Sequence, residues 1–241
     1  MKKIIISIFL LFIGFNLSAQ TYGIKVGPTL STMFGSDADL MGTVSFLPTP
    51  GITAGGSISW GDPIFEKYDF IDQSIGQMTI ELLYFESGMR IESITTGDIT
   101  IPAIENIKHH NIKLNGLSYF RLSPRFSIGG GIYTSFLLGI NSTLENKSDF
   151  INAGYSDFWT VPVNDYAKNR FDLGTMIAFK YIITDNICWE LRSSNGFLKY
   201  FYQEEVPNVS EDFWYDIYNY SVSSSVSYYF GKMKYKDSWR E

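Results

Sequence analysis

The sequence predicts an all-β fold, an eight-stranded antiparallel up-and-down transmembrane β-barrel, on three observations. Apolar residues alternate with small or polar ones in eight separate stretches, no stretch shows a helical period of comparable strength, and long connections mostly alternate with short ones. The aromatic content of 17% nearly equals the charged content of 18%, a balance that favours strands and membrane interfaces over a solvated helical surface.

The alternation is plainest between Ile112 and Leu138. Phe126, Ile128, Ile132, Phe136 and Leu138 share one face, and Ser127, Gly129, Gly131 and Ser135 share the other. Ile112, Leu114 and Phe120 stand in the same way against Lys113, Asn115 and Tyr119. The gap Leu122-Ser123-Pro124-Arg125 suits a tight turn, so this segment reads as strands four and five.

The remaining strands repeat the pattern. The first carries Tyr22, Ile24, Val26, Leu30 and Phe34 opposite Gly23, Lys25, Gly27, Thr29 and Ser31, with Pro28 expected to cause a bulge or local break. Ile52, Ala54, Ile58 and Trp60 mark the second, and QMTIELLY from Gln77 to Tyr84 the third. The sixth is FDLGTMIAFKY, the seventh ICWELRS after the turn Thr184-Asp185-Asn186, and the eighth YSVSSSVSYYF. Connections then fall at 35–49, 61–75, 90–109, 122–125, 140–168, 182–186 and 197–216, with the second as the exception to the long-short order.

Residues 1–20 have Lys2 and Lys3, an apolar run from Ile4 to about Leu17, and Ser18-Ala19 before a plausible cleavage point, the pattern of a secretory signal peptide. The expected organisation is a signal peptide at 1–20, a barrel at 21–231 and a short periplasmic tail at 232–241. The last carries Lys232, Lys234, Lys236 and Arg240. Past residue 20 no apolar run is long enough for a membrane helix, so insertion has to be by strands. A formal charge of −6 argues against nucleic acid as a partner, and the single Cys188 excludes an intrachain disulfide and a cysteine metal centre.

Which face is outside decides the class. A soluble periplasmic lipocalin-like barrel binding an apolar ligand would turn the oily face inward. An outer-membrane barrel inverts it. Inversion is favoured because the polar face is rich in Gly, Ser and Thr, because its charges are nearly balanced, and because aromatics such as Tyr22, Trp60, Phe120, Phe126, Tyr181, Tyr220 and Tyr228 fall near strand ends. The charges of that face, Lys25, Glu81, Lys113, Asp172, Lys180, Glu190 and Arg192, are expected to form a structural ion-pair network in the lumen, centred on Glu81, Glu190 and Arg192.

The stretches GIKVGPTLS, ELLYFESGMR, the Ile112 to Gly139 hairpin, ELRSSNGF and SVSYYFG together resemble the small bacterial outer-membrane β-barrel domains called PorT-like, over essentially the whole chain after residue 20. The resemblance implies an eight-stranded barrel in the outer membrane of a Gram-negative cell, with some of the group tied to protein secretion. It implies no particular activity.

No catalytic site, cofactor or metal is expected. The two histidines, His109 and His110, are adjacent, read as exposed loop residues, and form no H-x-S pair of the kind lipid-modifying barrel enzymes use. Gly129-Gly130-Gly131 lacks the context of a phosphate loop and reads as relief of crowding. An extracellular loop combining Glu204, Glu205, Glu211 and Asp212 with Phe213, Trp214 and Tyr215 is the candidate partner-binding surface. The expected partners are outer-membrane lipid, lipopolysaccharide and an envelope or secretion protein, with both termini in the periplasm.

Overall fold

The structure is a computed structural model that describes residues 21–34, 46–60, 77–96, 99–123, 125–144, 170–198 and 218–230. The expected signal peptide at 1–20, the 232–241 tail and the acidic-aromatic segment from Glu204 to Tyr215 lie outside these residues.

Eight strands form, β1 Thr21–Phe34, β2 Phe46–Trp60, β3 Gln77–Thr96, β4 Ile99–Arg121, β5 Phe126–Leu144, β6 Phe171–Ile182, β7 Ile187–Gly196 and β8 Tyr218–Tyr229. Each pairs antiparallel with its neighbour in sequence, and β8 returns to pair with β1 from Gly23 opposite Tyr229 to Phe34 opposite Tyr218, closing an eight-stranded barrel. Closure removes both sheet edges, which an open sheet in lipid could not tolerate because unpaired backbone groups there have no water to bind. The turns at 122–125 and 183–186, the start of β1 and the end of β8 all lie at one end of the barrel, called here the turn end.

The faces are inverted relative to a soluble barrel. Val26 and Ile132 are 60% and 64% exposed, and Ile24, Leu30, Leu82, Leu114, Ile177 and Val226 are exposed with them. Lys25, Glu81, Asp172 and Glu190 are at most 3% exposed. The lipocalin-like arrangement is thereby excluded, since the outside is hydrocarbon while hydroxyls, amides and charges crowd the interior, with only scattered apolar side chains such as Leu83, Leu117 and Met176 among them. Aromatics flank that hydrocarbon: Tyr22, Phe120, Tyr181 and Tyr228 at the turn end, and Phe136, Phe171 and Tyr220 toward the other. Phe126 and Phe136 on β5 are separated by about 33 Å of strand at 3.3 Å per residue, which a tilt of about 40° brings to the height of a membrane's apolar band.

Glycines opposite tyrosines shape the interior. Tyr119, Tyr133 and Tyr229 are almost fully buried, and they face Gly129, Gly174 and Gly23 across the adjacent strand pair. A Cβ at Gly129 would come within 2.6 Å of the Tyr119 ring, one at Gly174 within 2.5 Å of the Tyr133 ring, and one at Gly23 within 2.9 Å of the Tyr229 ring. The expected relief of crowding at the triple glycine therefore takes a specific form, an empty position over which an inward phenol lies. Cys188 is buried against Ile182 and Tyr229, a small packed residue.

Two expectations are corrected and a third is narrowed. The 90–109 connection is not a long loop. β3 and β4 continue as a paired hairpin up to Thr96 opposite Ile99, because Gly97-Asp98 leaves only a two-residue gap of hairpin composition between two strand-forming runs. His109 and His110 consequently lie in β4, with His109 fully buried in the lumen. At Pro28 the expected disturbance is a local break and not a bulge. The proline stays in register with Ile52 of β2, while Gly27 and Pro28 leave a gap in the pairing with β8 that does not shift the register on either side. The register shifts occur elsewhere, at Pro48/Thr53, Ile91/Ser93 and His110/Asn111. At the last, Leu138 is the extra residue, so the buried positions of β5 change phase from Leu137 to Ile140.

Gly129→Ala should lower unfolding stability by about 1–3 kcal/mol, the usual cost of overpacking. Tyr119→Leu in the same chain should recover part of that loss, as read by urea titration of the barrel in detergent. Simple addition of the two single effects would show that the glycine and the ring are not a packed pair.

Candidate functional site

The buried charges converge at the middle of the lumen. Inward alternation puts Lys25 on β1, Glu81 on β3, and both Glu190 and Arg192 on β7 at this level. Four ion pairs link them: Lys25 Nζ to Glu81 Oε1 at 2.5 Å and to Glu190 Oε1 at 2.8 Å, Arg192 Nη1 to Glu81 Oε2 at 2.7 Å, and Arg192 Nη2 to Glu190 Oε1 at 2.5 Å. Each cation thus binds both carboxylates and each carboxylate both cations. Two side chains of β4 complete the shell, with Asn115 Nδ2 donating to Glu81 Oε2 at 2.9 Å and the Tyr119 hydroxyl donating to Glu190 Oε2 at 2.5 Å. Because β3 and β7 lie four strands apart in the ring of eight, the cluster spans the lumen and ties opposite walls.

The other three predicted members lie outside this cluster. Lys180, nearer the turn end, donates to Gln77 Oε1 at 3.1 Å and to the Tyr229 hydroxyl at 3.4 Å, and lies 3.8 Å above the Tyr119 ring. Asp172, toward the far end, accepts from the Tyr133 hydroxyl at 2.8 Å. Lys113 donates to Ser194 Oγ at 3.2 Å and stands 3.7 Å over the Tyr133 ring and 4.5 Å over the Phe85 ring. Phenols and aromatic faces thus serve as partners for the charges that carboxylates do not reach, a role the alternation pattern did not reveal.

Stacked in this way, the side chains fill the barrel, as eight strands allow. Toward the far end Asn111 Nδ2 donates to Ser87 Oγ at 3.1 Å, and Ser31 Oγ accepts from the Gly88 amide at 2.7 Å. Among the described residues the lumen is plugged mainly by hydrogen-bonded polar side chains, with Leu83, Leu117 and Met176 packed between them.

The outer wall carries a second polar cluster. His110, on the exposed face of β4 beyond Ile112, lies with its Nδ1 2.6 Å from the Tyr84 hydroxyl, which donates to Glu86 Oε1 at 3.0 Å. Its Nε2 is 2.9 Å from Asn141 Nδ2, and its ring stacks on Tyr84. This carboxylate-phenol-imidazole-amide chain begins where the hydrocarbon band ends. It was missed because Tyr84 reads as a simple belt aromatic and because β4 was expected to start only at Ile112. Among the described residues no group of three or more His, Cys, Asp and Glu is arranged to hold a metal ion.

Removing one member of the central cluster leaves the others buried without compensation. Arg192→Ala should cost about 3–5 kcal/mol of unfolding free energy, whereas truncating the lipid-facing Leu114 should cost clearly less, because its exposed side chain leaves no internal cavity. Equal losses in urea titrations of the two variants would remove the cluster from its place as the main lumen tie.

No family profile matches the chain, and no curated protein matches it. Among solved structures it is similar to Neisserial surface protein A, with 9% identity over 86% of this chain and 96% of that one and a TM-score of 0.45. It is also similar to Ail, the attachment invasion locus protein of Yersinia pestis, with 8% identity over 89% and 100% of the two chains and a TM-score of 0.38. A third is the translocator domain of the autotransporter NalP from Neisseria meningitidis, with 12% identity over 95% and 94% and a TM-score of 0.32. The assignment itself rests on the closed strand order, the hydrocarbon exterior between two aromatic belts and the polar lumen, and on these grounds the protein is an integral β-barrel of the outer-membrane type.

Proposed function

We propose that this protein is an anchored interaction barrel of the bacterial envelope, PorT-like in kind, whose work is done on its surface and not through its lumen. The supporting observation is the contrast between a plugged interior and a wall of unequal height. β3, β4 and β5 run 20, 23 and 19 residues, against 12, 10 and 12 for β6, β7 and β8. The excess rises at the end away from the turns. Beyond Ile91 and Glu105 the β3–β4 hairpin has no further strand partner among the described residues, so its two edges offer backbone donors and acceptors to an added strand. The turn end and both termini are assigned to the periplasm, where short turns of such barrels lie. A link to protein secretion is the refinement this reading favours, with the protein partner held by the projecting hairpin and the 204–215 segment.

Lipid and lipopolysaccharide are the second class of partner in this reading. The exposed hydrocarbon calls for acyl chains. Lys108, next along the outer face from His110, and the Glu86-Tyr84-His110-Asn141 cluster stand at headgroup height, suited to bind phosphates and sugar hydroxyls.

Crosslinking in intact cells followed by capture of the barrel tests the protein-partner reading. A variant in which residues 92–103 are replaced by a two-residue turn should still reach the outer membrane and shift on gels after boiling, yet lose its crosslinked partner. Unchanged capture would move the binding surface elsewhere. In planar bilayers the folded protein should give no conductance steps, and regular steps would overturn the plugged-lumen reading. His110→Ala should leave the acyl composition of lipid A as in wild type, and an altered composition would favour a lipid-modifying enzyme instead. Lys108→Glu should reduce co-purifying lipopolysaccharide at least twofold.

A further inference from the structure

Beside the central charge cluster lies a small cavity with room for about one water-sized molecule, lined by Lys25, Lys113 and Arg192, by Thr53 and the serines of β7 and β8, and on one side by Leu83 and Phe85. No carboxylate lines it among the described residues. Glu81 and Glu190, the two carboxylates of the cluster, are already shared by Lys25 and Arg192, and no carboxylate among the described residues lies within ion-pair distance of Lys113. Over the described lumen four buried cations, Lys25, Lys113, Lys180 and Arg192, therefore meet three buried anions, Glu81, Asp172 and Glu190, where an uncompensated charge is costly. Two buried polar atoms of residues that line it, Thr53 Oγ1 and Arg192 Nε, have no hydrogen-bond partner among the described residues. Ser194 Oγ accepts from Lys113 and so keeps its own hydrogen to donate.

From this geometry we infer that the lumen holds a small monovalent anion of halide type, chloride in the cell, between Lys113, Arg192 and Thr53. A single negative charge there brings these seven lumen charges to neutrality and gives the Thr53 hydroxyl an acceptor. The size of the cavity excludes phosphate, sulfate and carboxylate metabolites. Lys113 holds the ion while its aromatic neighbours Phe85 and Tyr133 keep the ammonium in place. The anion is a structural component of the plug, and the inference stands whether or not the surface binds a protein partner.

The test uses the full barrel folded in a non-ionic detergent, with thermal unfolding followed in sodium chloride, sodium bromide and sodium gluconate at one ionic strength. Gluconate is too large to enter. The midpoint should be higher in either halide and should rise saturably with halide concentration. Lys113→Met should abolish that dependence, and Thr53→Val, which leaves every ion pair in place, should shift the half-saturating halide concentration upward severalfold. The second variant keeps the inference testable if the first does not fold. Crystals grown in bromide should show an anomalous peak within about 3.5 Å of Lys113 Nζ, at ordinary contact distance for an ion and its donors. Equal midpoints in halide and gluconate, a halide dependence unchanged in both variants, or a bromide peak without any solution dependence would each overturn the inference, the last marking an adventitious ion only.

Discussion

The constraint behind this structure is that every polar side chain of the wall has to be satisfied inside. In lipid the outer face cannot hydrogen-bond, so alternation drives half of each strand's side chains into a lumen too narrow for bulk water. The Lys25-Glu81-Arg192-Glu190 cluster resolves the hardest part of that problem. Taking four charges out of water costs several kcal/mol each, and only a closed set of short, charge-assisted bonds offsets it. Geometry turns that necessity into architecture, because the bonds run from β1 and β3 to β7 and so fix the distance between opposite walls as well as the register of neighbours.

The same constraint explains the pairing of bulky phenols with glycines. Tyr119, Tyr133 and Tyr229 each bring a hydroxyl into the lumen, where they meet Glu190, Asp172 and Lys180 respectively. Eight strands leave no spare volume for three rings, and the space comes from Gly129, Gly174 and Gly23 on the next strand. Packing and electrostatics are therefore one arrangement here. A substitution at a glycine displaces a ring, and a displaced ring removes the partner of a buried charge.

Much of this was readable from the amino-acid sequence because barrel alternation is local. The period of two in SIGGGIYTSF or FDLGTMIAFKY shows at once which residues share a face, and the scarcity of Lys and Glu on the polar face indicates an enclosed face and not a wet one. Which charges would meet was less accessible. Lys25 and Glu190 are 165 positions apart and touch only because β8 closes on β1, so membership of the central cluster depends on strand tilt and stagger that no single stretch encodes. Lys113 was grouped with the ion pairs on charge alone, yet it sits on two aromatic rings. The height of the β3–β5 wall was missed for a different reason: Gly97-Asp98 is a minimal hairpin signal inside a run, TTGDITIP, that looks like loop composition.

That missed feature bears most directly on function. A strand needs only about 9–11 residues to cross the hydrocarbon, and β7, with 10, is barely long enough. β4, with 23, is more than twice that length. Its turn-end residue Arg121 is bound to Ser127 of β5, and Phe126 in turn faces Tyr181 near the end of β6, so all these strands start level and the surplus has to emerge at the other side. The crossing point can be located on β4 itself. Phe120, Leu114 and Ile112 face lipid, and at His110 the outer wall turns polar, with Glu86, Tyr84 and Asn141 gathered round the imidazole. The bulge at Leu138 falls at the same height, where the partner strand no longer has to match the lipid-facing alternation. Everything beyond that level is strand that the bilayer does not require, held upright by a cross-tied barrel beneath it.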